Sequence, residues 1–139
     1  MHAAKRIKVI VSTIGLDGHT TGSEVVATIL RNAGIEVVYL GMYQTPEMIV
    51  EAALQEDVDA IGISSHASNY EQIVELTDVL KRRGFDHIFV FCGGTIPRHE
   101  IARLKENGVA EVFAPRSTSA SIVNYIVSKV KRAHAGLNG

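Results

Sequence analysis

The sequence predicts a doubly wound α/β domain built on a five-stranded parallel sheet, and three observations carry that prediction. Short runs rich in Val, Ile and Phe alternate five times with longer segments of helical periodicity. The connections between them are short, as strand–helix–strand crossovers allow. The strand segments are nearly continuous apolar runs rather than strict alternations, which is the pattern of strands covered by helices on both sheet faces.

The first strand is Ile7-Lys8-Val9-Ile10-Val11, followed by a loop containing Gly15, Asp17 and Gly18. From Thr21 the spacing of Val25, Val26, Ile29, Leu30 and Ala33 marks one apolar helical face, with Gly34 as a stop. Glu36 to Leu40 form the second strand. Thr45-Pro46-Glu47 then opens a helix with a capping hydroxyl and proline at the first helical position, and Met48 to Gln55 continue it. Asp59 to Ser64 is a strand, Tyr70 to Arg83 a helix closed by Gly84, and His87 to Phe91 a strand. Pro97 to Asn107 is a helix closed by Gly108, Glu111 to Ala114 the last strand, and Ser119 to Lys131 the last helix. Five such units favour the flavodoxin-like strand order 2-1-3-4-5.

Size and charge narrow the function. The 139 residues, 15.1 kDa in mass, are expected to expose about 7,000 Å² when folded and to form one core, read here as a single domain over residues 1–139. Fourteen Lys and Arg against fifteen Asp and Glu give a net charge of −1, which offers no electrostatic case for nucleic acid or an anionic membrane. Aromatic residues are 6% and Trp is absent, so an aliphatic core is expected rather than an aromatic binding platform. The single Cys92 makes no intramolecular disulfide, and no signal peptide or run of about 18 apolar residues is visible; a cytoplasmic chain is the expectation.

Ligands of such sheets bind beyond the carboxyl ends of the strands, where the winding reverses. The segments there are built from small polar residues: Gly15 to Gly22, Ser64 to Ser68, Cys92-Gly93-Gly94-Thr95, and Ala114 to Ser119. Asp17-x-His19 has a specific use, because a metal-bound histidine usually donates its second ring N–H to a carboxylate, which fixes the tautomer. Asp17 and His19 also suit the ordinary role of turn residues ahead of the first helix.

Asp17-Gly18-His19-Thr20-Thr21-Gly22 reads D-x-H-x-x-G after the first strand, with Ser64 after the third and Gly93-Gly94 after the fourth. Together these resemble the cobalamin-binding domain of adenosylcobalamin-dependent mutases and methionine synthase, whose pattern is D-x-H-x-x-G, S-x-L and G-G. The resemblance runs from about Lys8 to about Val130. It implies that His19 replaces the cofactor's benzimidazole as the lower cobalt ligand, with Asp17 orienting it and Gly18 and Thr20 in the same loop. It further implies that Gly22 lets the first helix approach the displaced nucleotide tail, Ser64 hydrogen-bonds the benzimidazole, and Gly93, Gly94 and Pro115 border the tail. Gly-Leu-Asp-Gly-His and Tyr43-Gln44-Thr45-Pro46-Glu47 look most like acyl-CoA mutases of the methylmalonyl-CoA type. A chain of this length is similar to their separate small subunits. The resemblance therefore implies adenosylcobalamin, a large barrel-containing partner subunit carrying the substrate site, and no catalytic residue in this chain.

Three positions depart from the family pattern. Thr13 stands where acyl-CoA mutases often carry a lysine, His66 replaces the S-x-L leucine, and Pro115-Arg116-Ser117 replaces Pro-Gly-Thr. His66 suits a locally bonded loop histidine, and Arg116 suits either solvent or an anion. Cys92 reads as an inert core thiol, Arg98 and His99 as surface residues, and Lys129, Lys131 and Arg132 as the basic end of a helix. The alternatives are a glutamate-mutase-type small subunit, a non-catalytic corrinoid carrier or chaperone, and a flavodoxin-like electron carrier. The last rests on Ser12-Thr13-Ile14-Gly15, which is loosely similar to a phosphate-binding loop.

Overall fold

The computed structural model describes residues 6–15, 21–65 and 69–138. Its elements follow in the order β1 (Lys8–Ser12), α1 (Thr21–Asn32), β2 (Glu36–Gly41), α2 (Pro46–Glu56), β3 (Ala60–Ser65), α3 (Tyr70–Arg82), β4 (Phe89–Gly94), α4 (Arg98–Glu106), β5 (Val109–Phe113) and α5 (Ser119–Asn138). The strands form one parallel sheet in the order β2-β1-β3-β4-β5, the flavodoxin-like topology. The winding direction reverses between β1 and β3, which opens a crevice at the carboxyl ends of the strands.

Alternation along each strand divides the core in two. Ile10, Ile61, Ile63, Val90 and Cys92 face α2, α3 and α4, where they pack with Ile49, Ile73, Leu76 and Leu104. Val9, Val11, Ala60, Phe89 and Phe91 face the other way, toward Ala27 and Leu30 of α1 and Ile122, Ile126 and Val130 of α5. Both faces are therefore dry, which is why the strands lack a polar side. α2 starts as its sequence demands: Thr45 accepts a hydrogen bond from the Met48 N–H at 3.1 Å, and Pro46 opens the first turn.

Several boundaries differ from the sequence expectation. Cys92-Gly93-Gly94 is not a loop but the end of β4, because Ile63, Ser64 and Ser65 of β3 pair with Cys92, Gly93 and Gly94 in turn. His87 and Ile88 lie before the strand, where the Ile88 N–H closes a turn onto the Phe85 carbonyl. β5 begins at Val109, paired with Val90. α5 continues to Asn138, so Lys129, Lys131 and Arg132 occupy its middle rather than its end. Lys129 there sets its ammonium 5.4 Å from the Phe89 ring centre. Among the described residues, no helix is long and apolar enough to cross a membrane.

Candidate functional site

The site originates in a run of small residues on one face of the sheet. On the side covered by α1 and α5, β3 presents Ala60, Gly62 and Ser64, and β4 presents Phe89, Phe91 and Gly93. Toward the carboxyl end of β4 the side chain falls from Phe91 to Gly93 beside the small residues of β3, and the helices overhead do not fill the space. A cavity of about 250 Å³ results, bordered by Gly22, Ser64, Gly93, Gly94 and Pro115, with Phe91 and Phe113 among its apolar walls.

Those five residues are all the described members of the set expected to meet the cofactor, and they come from α1, β3, β4 and the segment after β5. Asp17, Gly18, His19, Thr20 and His66, which carry the axial-ligand expectation and the S-x-L departure, lie outside the described residues. Ser64 is registered directly beside Gly93 across the β3–β4 pair. Among the described residues the Ser64 hydroxyl has no hydrogen-bond partner, and it borders the cavity as a group available to a ligand.

The two glycines of Gly93-Gly94 do different work. A Cβ built on Gly93 would find nothing nearer than the Phe113 carbonyl oxygen at 3.8 Å, so the protein itself tolerates a side chain there. A Cβ on Gly94 would collide with the backbone carbonyl of Ser65, and its φ of +113° is one that side-chain-bearing residues rarely adopt. Gly94 is thus required by the sheet, whereas Gly93 keeps the cavity open.

Gly62 and the aromatic wall escaped the sequence reading. A Cβ on Gly62 would lie 2.5 Å from Cζ of Phe91, so this glycine lets the ring lie across β3. Phe91 meets Phe113 edge to face at 6.0 Å, and Phe113 meets Tyr125 likewise at 5.5 Å. Phe89, Phe91, Phe113 and Tyr125, four of the eight aromatic residues, cluster beside the cavity, which a chain-wide fraction conceals; a glycine inside an apolar strand was the available signal.

The segment after β1 is closed by its own bonds. Thr13 is fully buried and its hydroxyl donates to the Gly41 carbonyl at 2.9 Å, while its N–H reaches the same oxygen at 3.2 Å. The Gly15 N–H donates to the Gln44 carbonyl at 2.8 Å, which ties this segment to the β2–α2 connection. The threonine in place of a lysine therefore serves the backbone. The similarity of Ser12 to Gly15 to a phosphate loop fails for the same reason: Ser12 and Thr13 are buried and aimed at protein carbonyls.

Cys92 borders the cavity but is fully buried, and burial pushes its thiol up to about 12. At pH 8 only about one molecule in ten thousand would then be thiolate. The native protein is expected to resist thiol-specific disulfide reagents and to react fully once unfolded in denaturant. Rapid native labelling would contradict its inert role. Arg116 is exposed, and Arg98 and His99 sit on α4 away from the cavity lining.

Residues 7–123 match the B12 binding domain family. The chain belongs to that family. It is 39% identical over 136 residues to the pivalyl-CoA mutase small subunit of Xanthobacter autotrophicus, covering 97% of this chain and 92% of that protein. It is 38% identical to the 2-hydroxyisobutanoyl-CoA mutase small subunit of Aquincola tertiaricarbonis, covering 89% and 92%. Against the methylmalonyl-CoA mutase of Rhizobium meliloti identity is 42% across 81% of this chain, but the match spans only 17% of that enzyme. Among solved structures, a cobalamin-binding protein from Desulfitobacterium hafniense superimposes with a TM-score of 0.79 at 22% identity, over 90% of this chain and 60% of that one. The receiver domain of the response regulator NarL from Mycobacterium tuberculosis reaches 0.71 at 16% identity, over 91% and 98%. These last two likenesses attest the fold. This B12-binding chain therefore has close relatives among mutase subunits of its own length.

Proposed function

We propose that residues 1–139 form the cobalamin-binding small subunit of an adenosylcobalamin-dependent mutase, which rearranges the carbon skeleton of an acyl-CoA together with a separate large subunit. One observation carries the reading: in a B12-binding chain matched nearly end to end by acyl-CoA mutase small subunits, Gly22, Ser64, Gly93, Gly94 and Pro115 border one cavity. Its volume of about 250 Å³ falls below the range of about 300–1,000 Å³ typical of sites that enclose a whole ligand. A narrow, largely apolar slot edged by the serines Ser23, Ser64 and Ser117 fits one heteroaromatic arm of a large cofactor.

In this reading Ser64 donates to a ring nitrogen of the displaced benzimidazole, and the missing side chain of Gly93 makes room for the ring. Phe91 and Phe113 exclude water from its faces. His19 would hold the cobalt through one ring nitrogen, with Asp17 accepting the other N–H and keeping the imidazole in the ligating tautomer. When bound, adenosylcobalamin supplies the cobalt–carbon homolysis that starts a radical rearrangement. The substrate chamber belongs to the large subunit, so this chain alone is inert.

Titration with adenosylcobalamin tests the proposal through the visible spectrum. The expected result is a red, nitrogen-ligated spectrum that the His19→Ala variant converts to the yellow base-off form at saturating protein, and mutase activity only after the large subunit is added. A nitrogen-ligated spectrum retained by the His19→Ala variant at saturation would contradict His19 as the ligand.

A further inference from the structure

Four large apolar side chains are prominently exposed among the described residues: Val25 at 52%, Met42 at 43%, Tyr43 at 61% and Met48 at 48%. All four lie at the end of the molecule where the strands terminate, because Val25 is near the start of α1, Met42 and Tyr43 follow β2, and Met48 is in the first turn of α2. Val25 borders the cavity, but Met42, Tyr43 and Met48 do not. These three form a separate apolar surface on the β2–α2 side of the same end.

The backbone holds this surface at a cost. Tyr43 has φ of +59°, a left-handed conformation disfavoured for a bulky residue. Gly41 before it is also left-handed, its carbonyl accepts from Thr13, and the Gln44 carbonyl accepts from Gly15. Bonds on both sides thus pin a strained turn that leaves an aromatic ring in water. Nothing in the core needs that ring.

We propose that Met42, Tyr43 and Met48 anchor the large mutase subunit directly, independently of the cofactor. The inference rests on the reading of this chain as a small subunit. Tyr and Met are enriched at the centres of protein interfaces, where a few such residues carry most of the affinity. The same domain occupies 17% of one methylmalonyl-CoA mutase and 92% of separate small subunits, so a much larger body accompanies it whether or not the chain is continuous. A cofactor held at the strand ends turns that end toward the larger body, and the apolar surface adjoins it there.

The test uses the full chain carrying Tyr43→Asn and Met48→Gln. Asparagine tolerates the left-handed backbone and glutamine matches methionine in helix propensity, so both elements are preserved. Calorimetric titration against the purified large subunit of the same organism is expected to show affinity weakened about 30-fold or more. The adenosylcobalamin spectrum and affinity should stay within twofold of the wild type, and the thermal midpoint should not fall. Large-subunit affinity within threefold of the wild type would overturn the proposal. So would wild-type protein that self-associates through these residues in sedimentation. Failure of the small-subunit reading shows separately, as wild-type protein that takes up cobalamin yet binds no large subunit, and it overturns the proposal with it.

Discussion

Gly93→Val is expected to weaken cobalamin binding by about 5- to 150-fold while leaving the protein at least as stable as the wild type. The position accepts a Cβ, since the nearest atoms would be the Phe113 carbonyl oxygen at 3.8 Å and the Phe113 Cβ at 4.0 Å. The two methyl groups of valine would then occupy the cavity beside Ser64. Forcing extra carbons into a filled site costs about 1–3 kcal/mol, and each 1.4 kcal/mol is a factor of ten in affinity. Valine is also a better strand residue than glycine in β4, which lies between β3 and β5. Equilibrium binding and a thermal scan on one preparation separate the two effects. Unchanged affinity would mean that the cavity is not where the cofactor enters.

Gly94→Ala should behave in the opposite manner, losing about 3 kcal/mol of stability. The new Cβ would strike the Ser65 carbonyl, which is backbone already committed to the β3–β4 pair. Overpacking of this kind costs about 1–3 kcal/mol, and an alanine at φ of +113° adds strain of about 1–3 kcal/mol. Urea denaturation reads the loss as a lower midpoint at constant slope. A loss under about 1 kcal/mol would show that the strand end relaxes freely and that Gly94, like Gly93, serves the cavity. Adjacent residues of one motif thus have separable duties, one toward the fold and one toward the ligand.

That separation marks the limit of what is legible in the amino-acid order. The five strand–helix units, the Thr45-Pro46 helix start and the strand order follow from local periodicity, capping chemistry and the economy of crossovers, and the structure bears them out. Gly22, Ser64, Gly93, Gly94 and Pro115 border one cavity because segments at the strand ends of a parallel sheet meet at one edge. Gly62 was missed because its reason lies across the sheet, in the Phe91 ring of a strand that pairs with it from 29 residues away. The end of β4 was misplaced because Gly93 and Gly94 weaken the local strand signal, and only the ladder from Ser64 and Ser65 restores it. The α5 extension beyond Lys131 likewise gave little local signal. Tyr43 is a further case, since its left-handed backbone is imposed by the bonds from Thr13 and Gly15 to the carbonyls flanking it.

In the proposed function His19 would hold the cobalt. The most direct measurement is the electron paramagnetic resonance spectrum of the reduced, cobalt(II) form of cobalamin bound to full-length protein labelled with nitrogen-15 in histidine only. An axial ligand from the protein converts the nitrogen superhyperfine triplet to a doublet in the labelled sample, and the His19→Ala variant loses that doublet. A triplet unchanged by the label would mean that the benzimidazole still occupies the lower face, and would contradict the account.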